Sequence, residues 1–191
     1  MAIIPGILAS SQQAGTGAFW NLATVTGNGS ASTLTFSSIP SGYKSLHIRG
    51  IAKDTTSLTT PINLSLRFNG DSASNYAASQ FYSNTNGSVY SGTQSSSTVI
   101  TLQAADAPGS YGAANAYGSS IVDIIDYSST TKYKTIKSIS GITQNSSVLS
   151  SGTIVLNGGV WQSTAAITSI AIIEGAGNFT TNTTYTLYGV K

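Results

Sequence analysis

The chain has 191 residues, enough for one domain with a substantial core. Only 7% of them are charged, against about 25% in an average soluble domain, and the net charge is +2. This composition leaves no basic stripe for nucleic acid, and the absence of cysteine excludes a disulfide framework, a thiolate metal site and a cysteine nucleophile.

Ser, Thr, Asn and Gly stand where the charge is missing. The usual exposed helix formers are scarce, while Thr, Val, Ile and Tyr suit a pleated, half-buried surface. Gly, Asn and Ser supply turns. A disordered chain would be poor in apolar residues and rich in charge, whereas this one has a mean hydropathy of +0.09 with 10 Tyr, 5 Phe and 2 Trp. The expectation is an all-β fold.

Residues 1–17 differ from the rest. Ile3, Ile4, Ile7 and Leu8 form an apolar knot around Pro5-Gly6, followed by the polar SSQQAGTG. This reads as an N-terminal docking arm, because such a knot left in water would be a sticky patch. It lacks the positive start of a secretory signal, and no run reaches the ~18–20 apolar residues of a membrane helix. Synthesis in a cytoplasm without membrane contact is expected.

From residue 18 to 191 a single β domain is expected. AFWNLATVT (18–26), STLTFSSI (32–39) and YKSLHIRGIAK (43–53) are strand-like and separated by Gly, Asn and Pro. INLSLRF (62–68) is the clearest period-two run, with Ile62, Leu64, Leu66 and Phe68 on one face. RFNGD (67–71) then carries Asn69-Gly70, a strong hairpin signal, with Asp71 placed to close the turn. STVITL (97–102) precedes the long loop 105–119. SSIVDIIDY (119–127) and YKTIKSISGI (133–142) read as a hairpin. VLSSGTIVLNGGVW (148–161), AAITSIAIIEG (165–175) and TTYTLYGVK (183–191) complete the domain. About ten to twelve short strands with Gly/Asn turns predict two packed sheets, a β-sandwich of jelly-roll type.

Catalytic groups are few. His47, in SLHIRG, falls on the face opposite Leu46 and Ile48 and reads as a satisfied surface histidine. The carboxylates are Asp54, Asp71, Asp106, Asp123, Asp126 and Glu174. Asp123 and Asp126 are close in sequence, but residues three apart on a strand point to opposite faces and cannot flank one glycosidic bond. No nucleophile elbow, phosphate loop or zinc motif occurs. No enzymatic activity, cofactor or metal is expected. Asp71, Ser72, Ser74 and Asn75 form an oxygen-rich stretch, yet a calcium loop needs six to eight oxygens and usually several carboxylates, so the turn reading explains more. Lys132, Lys134 and Lys137 read as the solvent face of a strand. The Tyr-rich loop holding Tyr111, Asn115 and Tyr117 is the place for an exposed partner or ligand contact.

RFNGDSASNY and TTYTLYGVK resemble segments of a family of small virion proteins of tailed bacteriophages, common among phages of cyanobacteria and other aquatic bacteria. Its members often open with an apolar I-P-G-I-L-A-S-S arm, here Ile4 to Ser11. They carry a strand like YKSLHIRGIAK, the R-F-N-G-D turn at Arg67–Asp71, a segment like GGVWQSTAAITSI (Gly158–Ile170) and a closing L-Y-G strand (Leu187–Gly189). The resemblance spans most of the chain, through short structural motifs. Many members place a histidine in the strand after the turn; Tyr76-Ala-Ala-Ser-Gln-Phe has none. The resemblance implies a capsid decoration (cement) protein or a tail-fibre adhesin for host glycan, on the outer surface of capsid or tail. Its partners would be other virion proteins and copies of itself, a trimer being the implied oligomer.

Overall fold

The structure, a computed structural model, describes residues 18–56, 62–83, 88–102, 115–142 and 153–191. The docking arm, with Ile3, Ile4, Pro5, Ile7 and Leu8, lies outside the described residues, as does Tyr111. The described residues contain twelve strands and no helix. They are β1 (Phe19–Thr26), β2 (Thr33–Phe36), β3 (Ser45–Ala52), β4 (Leu64–Phe68), β5 (Tyr76–Ser83) and β6 (Val89–Ser97), followed by β7 (Ile100–Thr101), β8 (Gly118–Ile125), β9 (Lys134–Ile142), β10 (Thr153–Trp161), β11 (Ile170–Glu174) and β12 (Thr184–Val190).

These strands make two antiparallel sheets, the β-sandwich that the composition and turn spacing predict. The larger has the order β1-β12-β3-β8-β9-β10-β5-β6, the smaller β2-β11-β4-β7. With β5, β6, β9 and β10 set aside, the pairings nest. β1 pairs β12, β2 pairs β11, β3 pairs β8 and β4 pairs β7. A chain folded back on itself and then rolled gives this nesting, the jelly roll. The four strands set aside are two additions. β5 and β6 lie between β4 and β7 in sequence, β9 and β10 between β8 and β11, and together they widen the larger sheet from four strands to eight.

The alternation predicted for INLSLRF is seen in β4, where Leu64, Leu66 and Phe68 are fully buried. AITSIAIIE contributes the strand β11, with Ile170 and Ile172 in the core. β8, β9 and β10 alternate buried and exposed almost perfectly, so their outward residues form a second, solvent-facing set. One expectation is corrected here. Lys137 is exposed, but Lys134, three residues away on β9, faces inward and is fully buried. Its Nζ donates to the carbonyls of Ser129 (2.6 Å), Lys132 (2.9 Å) and Ser163 (3.3 Å), which satisfies all three ammonium protons. Burial lowers its pKa from the usual lysine value.

Asn69 and Gly70 both take positive φ, +52° and +69°, and the Asp71 amide donates to the Phe68 carbonyl at 2.9 Å. This two-residue turn has the left-handed backbone that the Asn-Gly pair predicts. It does not make a hairpin: β4 belongs to the small sheet and β5 to the large one. The turn carries the chain between layers, and its side chains fasten it there. Asn69 Oδ1 accepts from the amides of Thr168 (2.8 Å) and Ser169 (3.1 Å), while its Nδ2 donates to the Ala166 carbonyl at 2.8 Å. Asp71 accepts from Trp161 Nε1 at 2.7 Å, Asn75 Nδ2 at 3.0 Å and the Ala73 amide at 2.9 Å. The Asn75 bond, ahead of those from Trp161 and Ala73, holds its carboxyl below the usual carboxylate pKa.

Replacing Asp71 with Ala leaves the buried indole N–H without its acceptor. We expect a loss of about 2–4 kcal/mol, above that of a neutral hydrogen bond because the acceptor is charged. Urea unfolding followed by tryptophan fluorescence measures it; a loss below about 0.5 kcal/mol would show that the clamp is not stabilising.

Candidate functional site

The outward face of the larger sheet, turned away from the small sheet, holds the most distinctive arrangement among the described residues. Through the registered pairs, Ile121 on β8, Ile139 on β9, Leu156 on β10 and Phe81 on β5 stand side by side across four adjacent strands. One row further along, Ile154 pairs with Ser83, and Ser83 with Val89 on β6. Solvent reaches these side chains freely: Phe81 is 61% exposed, Leu156 56%, Ile139 49%, Ile154 62% and Val89 72%. Isolated exposed apolar residues are ordinary, but a registered ladder is a contiguous patch.

The row on the other side of this ladder is polar. It runs His47, Asp123, Lys137, Gly158, Ser79 across β3, β8, β9, β10 and β5. Gly158 has no side chain there, and no atom of the surroundings would meet a Cβ, so the face dips into a shallow trough of about 400 Å3 between Lys137, Ser79, Leu156 and Phe81.

His47 faces away from Leu46 and Ile48, as the sequence predicts, yet it is buried rather than open to solvent. The Phe19 ring, from the start of β1, covers it edge-on at 5.2 Å between centroids. His47 Nδ1 bonds the Asp123 carboxylate, and Nε2 accepts from Arg49 Nε at 2.7 Å. With both ring nitrogens engaged, this imidazole is not placed to take a proton from a substrate; it joins three strands and orients Arg49 beneath Phe19, with the guanidinium carbon 5.3 Å from the ring centroid.

The other residues singled out from sequence fall elsewhere. Asn69, Gly70 and Asp71 form the layer-crossing turn already described. Both oxygens of Asp71 are taken by Trp161, Asn75 and Ala73, and no group of three or more His, Cys, Asp or Glu able to hold a metal occurs among the described residues. Asn115 is exposed. Tyr117 is half-buried at the end of the sandwich; its hydroxyl accepts from Asn182 Nδ2 at 3.2 Å, and Lys53 Nζ lies 5.9 Å from its ring centroid. Asp123 and Asp126 are separated as expected: Asp123 is on the outward face, and Asp126 occupies the turn after β8 with a φ of +58°. Of the aromatics, Tyr76 and Trp161 are core residues, while Tyr82 and Tyr90 stack on each other at 5.2 Å. The ladder itself went unrecognised in sequence, although IVDII, KSISGI and TIVLN each carry its period-two signal.

No protein family, curated protein or solved structure matches this chain.

A second cluster is formed by Asp54, Thr56 and Glu174. Asp54 is buried, accepting from the Thr56 amide and hydroxyl at 2.9 Å each. Burial, helped by the neighbouring Glu174 charge, pushes its pKa up to about 6, against the opposing bonds from Thr56. The folded protein therefore keeps this proton to a higher pH than the unfolded chain, whose carboxyl titrates near 3.8. Stability should fall as pH rises from about 4 to 6.5, by about 1–3 kcal/mol, and level off above. Below that window Asp71 acts in the opposite sense: its depressed pKa stabilises above the unfolded value, and that stability is lost on further acidification. Asp54→Asn should flatten the upper slope alone. Chemical denaturation of both proteins across this range tests it; equal slopes would refute the assignment to Asp54.

Proposed function

We propose that this chain is a non-enzymatic structural protein of a bacteriophage virion, a capsid decoration protein seated on the outside of the shell and anchored by its N-terminal arm. The observation that carries this reading is the outward face of the widened sheet. There the apolar side chains face solvent, while the polar groups of His47 on that face, of Asp71 in the layer-crossing turn and of Lys134 in the interior are each held by internal hydrogen bonds. A surface of this kind supports docking to large, flat partners better than chemistry on small ones. The resemblance to small tailed-phage virion proteins supports the setting, and the apolar residues Ile3, Ile4, Ile7 and Leu8 support an arm that buries on a neighbour.

A second reading is a tail-fibre or adhesin domain for host-surface glycan. The trough at Gly158 favours it, since Phe81 offers an aromatic face beside Lys137 and Ser79.

Copy number separates the two. Quantitative mass spectrometry of purified virions should find this chain in near-stoichiometric ratio to the major capsid protein. A few copies per particle would sink the decoration reading and leave the adhesin. Removal of residues 1–17 should leave a folded domain that no longer joins the particle; wild-type incorporation of the truncated chain would show that the arm is not the anchor.

A further inference from the structure

We propose that the outward face of the four added strands is the contact surface for a second copy of this chain, packed face to face across a twofold axis. The inference concerns the isolated protein and does not depend on its place in a particle.

The jelly-roll strands and the added strands present different outward faces. On β12 and β3 the outward residues are mostly polar, Thr184, Thr186, Tyr188, His47 and Arg49, with Ile51 the exposed apolar exception. On the added strands β9, β10, β5 and β6 the patch is Ile139, Leu156, Phe81, Ile154 and Val89, and it extends onto the adjoining jelly-roll strand β8 through Ile121. β8, β9 and β10 thus carry apolar residues on both faces, the pattern of a sheet covered on both sides. The small sheet covers one side; a third layer is the missing partner.

Two features point to a copy of the chain itself as that layer. The exposed area of the six side chains is roughly 700 Å2, close to the ~800 Å2 that each partner contributes to a standard interface. The six side chains of the patch are uncharged, and the one charge on the outward face of the added strands among the described residues, Lys137, stands beside Leu156 at the patch edge, where its long stem lets the ammonium stay in solvent at the rim of a contact between two copies. A sheet face with an apolar row across several strands can bury that area against another such face, at the ~10 Å spacing of stacked sheets. Because the same residues serve both partners, the contact is isologous and closes as a dimer.

Sedimentation equilibrium of the full chain over a concentration series tests this, with Leu156→Lys and, separately, Phe81→Ser as variants. Both side chains are exposed, so circular dichroism, and thermal unfolding at concentrations where wild type is dissociated, should match wild type. Thr186→Lys, on the jelly-roll part of the same face, serves as the control. The expected result is a wild-type and control dimer whose dissociation constant rises at least tenfold in each patch variant. A wild type that stays monomeric to about 100 µM would overturn the proposal. So would an oligomer, a trimer included, that both patch variants form as readily as wild type. Either failure leaves the virion reading open to its own copy-number test.

Discussion

The hydrogen bond from the Trp161 indole to the Asp71 carboxylate joins the two parts of this protein. Trp161 ends β10, one of the added strands, and Asp71 lies just after the turn that leaves the small sheet. Around that bond Phe68, Tyr76 and Trp161 pack with centroids 5.6 to 6.3 Å apart, and the Tyr76 hydroxyl accepts from the Phe68 amide at 3.1 Å. Trp161 is also registered with Tyr76 on one side and Lys134 on the other. Small sheet, added hairpins and the turn after β8 therefore converge on a single indole. An acceptor at its edge and the Lys134 ammonium 6.0 Å from its ring centroid fix the ring's orientation electrostatically as well as sterically.

This anchoring makes the widened sheet possible. A hairpin added to a sheet is marginal unless one of its faces is buried. Tyr76 and Trp161 supply that burial for β5 and β10, beneath Phe68 of the small sheet. Once their inward faces are held, the outward faces follow from the two-residue period, and the registers of β8, β9, β10 and β5 align Ile121, Ile139, Leu156 and Phe81 into one row. The apolar ladder is thus a consequence of internal clamping at a distance from it. Any slip of one residue in β10 would turn Leu156 inward and Val155 outward, dissolving the row and the core together.

The all-β class and most strand positions were legible because alternation and turn chemistry are local. INLSLRF, SSIVDIIDY and YKTIKSISGI carry their faces in their own spelling. What escaped was everything set by register between distant segments. Asn69-Gly70 specifies its own backbone but cannot say that the strands on either side belong to different layers. Lys134 and Lys137, three apart on one strand, must face opposite ways, the same rule that separates Asp123 from Asp126; a buried lysine was nonetheless unexpected, because its three carbonyl acceptors lie in two different loops. His47 was placed on the correct face, but Phe19, 28 positions earlier in the chain, removes it from solvent. The ladder needed four strands in register, although each rung was visible.

The distribution of charge follows the same division. Among the described residues, several ionisable groups fasten backbone: Asp71 the turn after β4, Lys134 two loops, Glu174 the amides of Ala176 and Gly177, while the covered His47 instead ties Asp123 to Arg49. The added strands, whose outward residues are the ones available to a partner, have Lys137 as their only charge on that face among the described residues. Association through such a face draws on apolar area, a term that salt does not screen and that pH does not titrate. Specificity must then come from shape, and the Cβ-less Gly158 between Lys137 and Ser79 supplies a relief that a flat sheet lacks. A partner seated on the ladder meets a trough on one side and the Ile154–Val89 row on the other, so the face has a direction although its chemistry is nearly uniform.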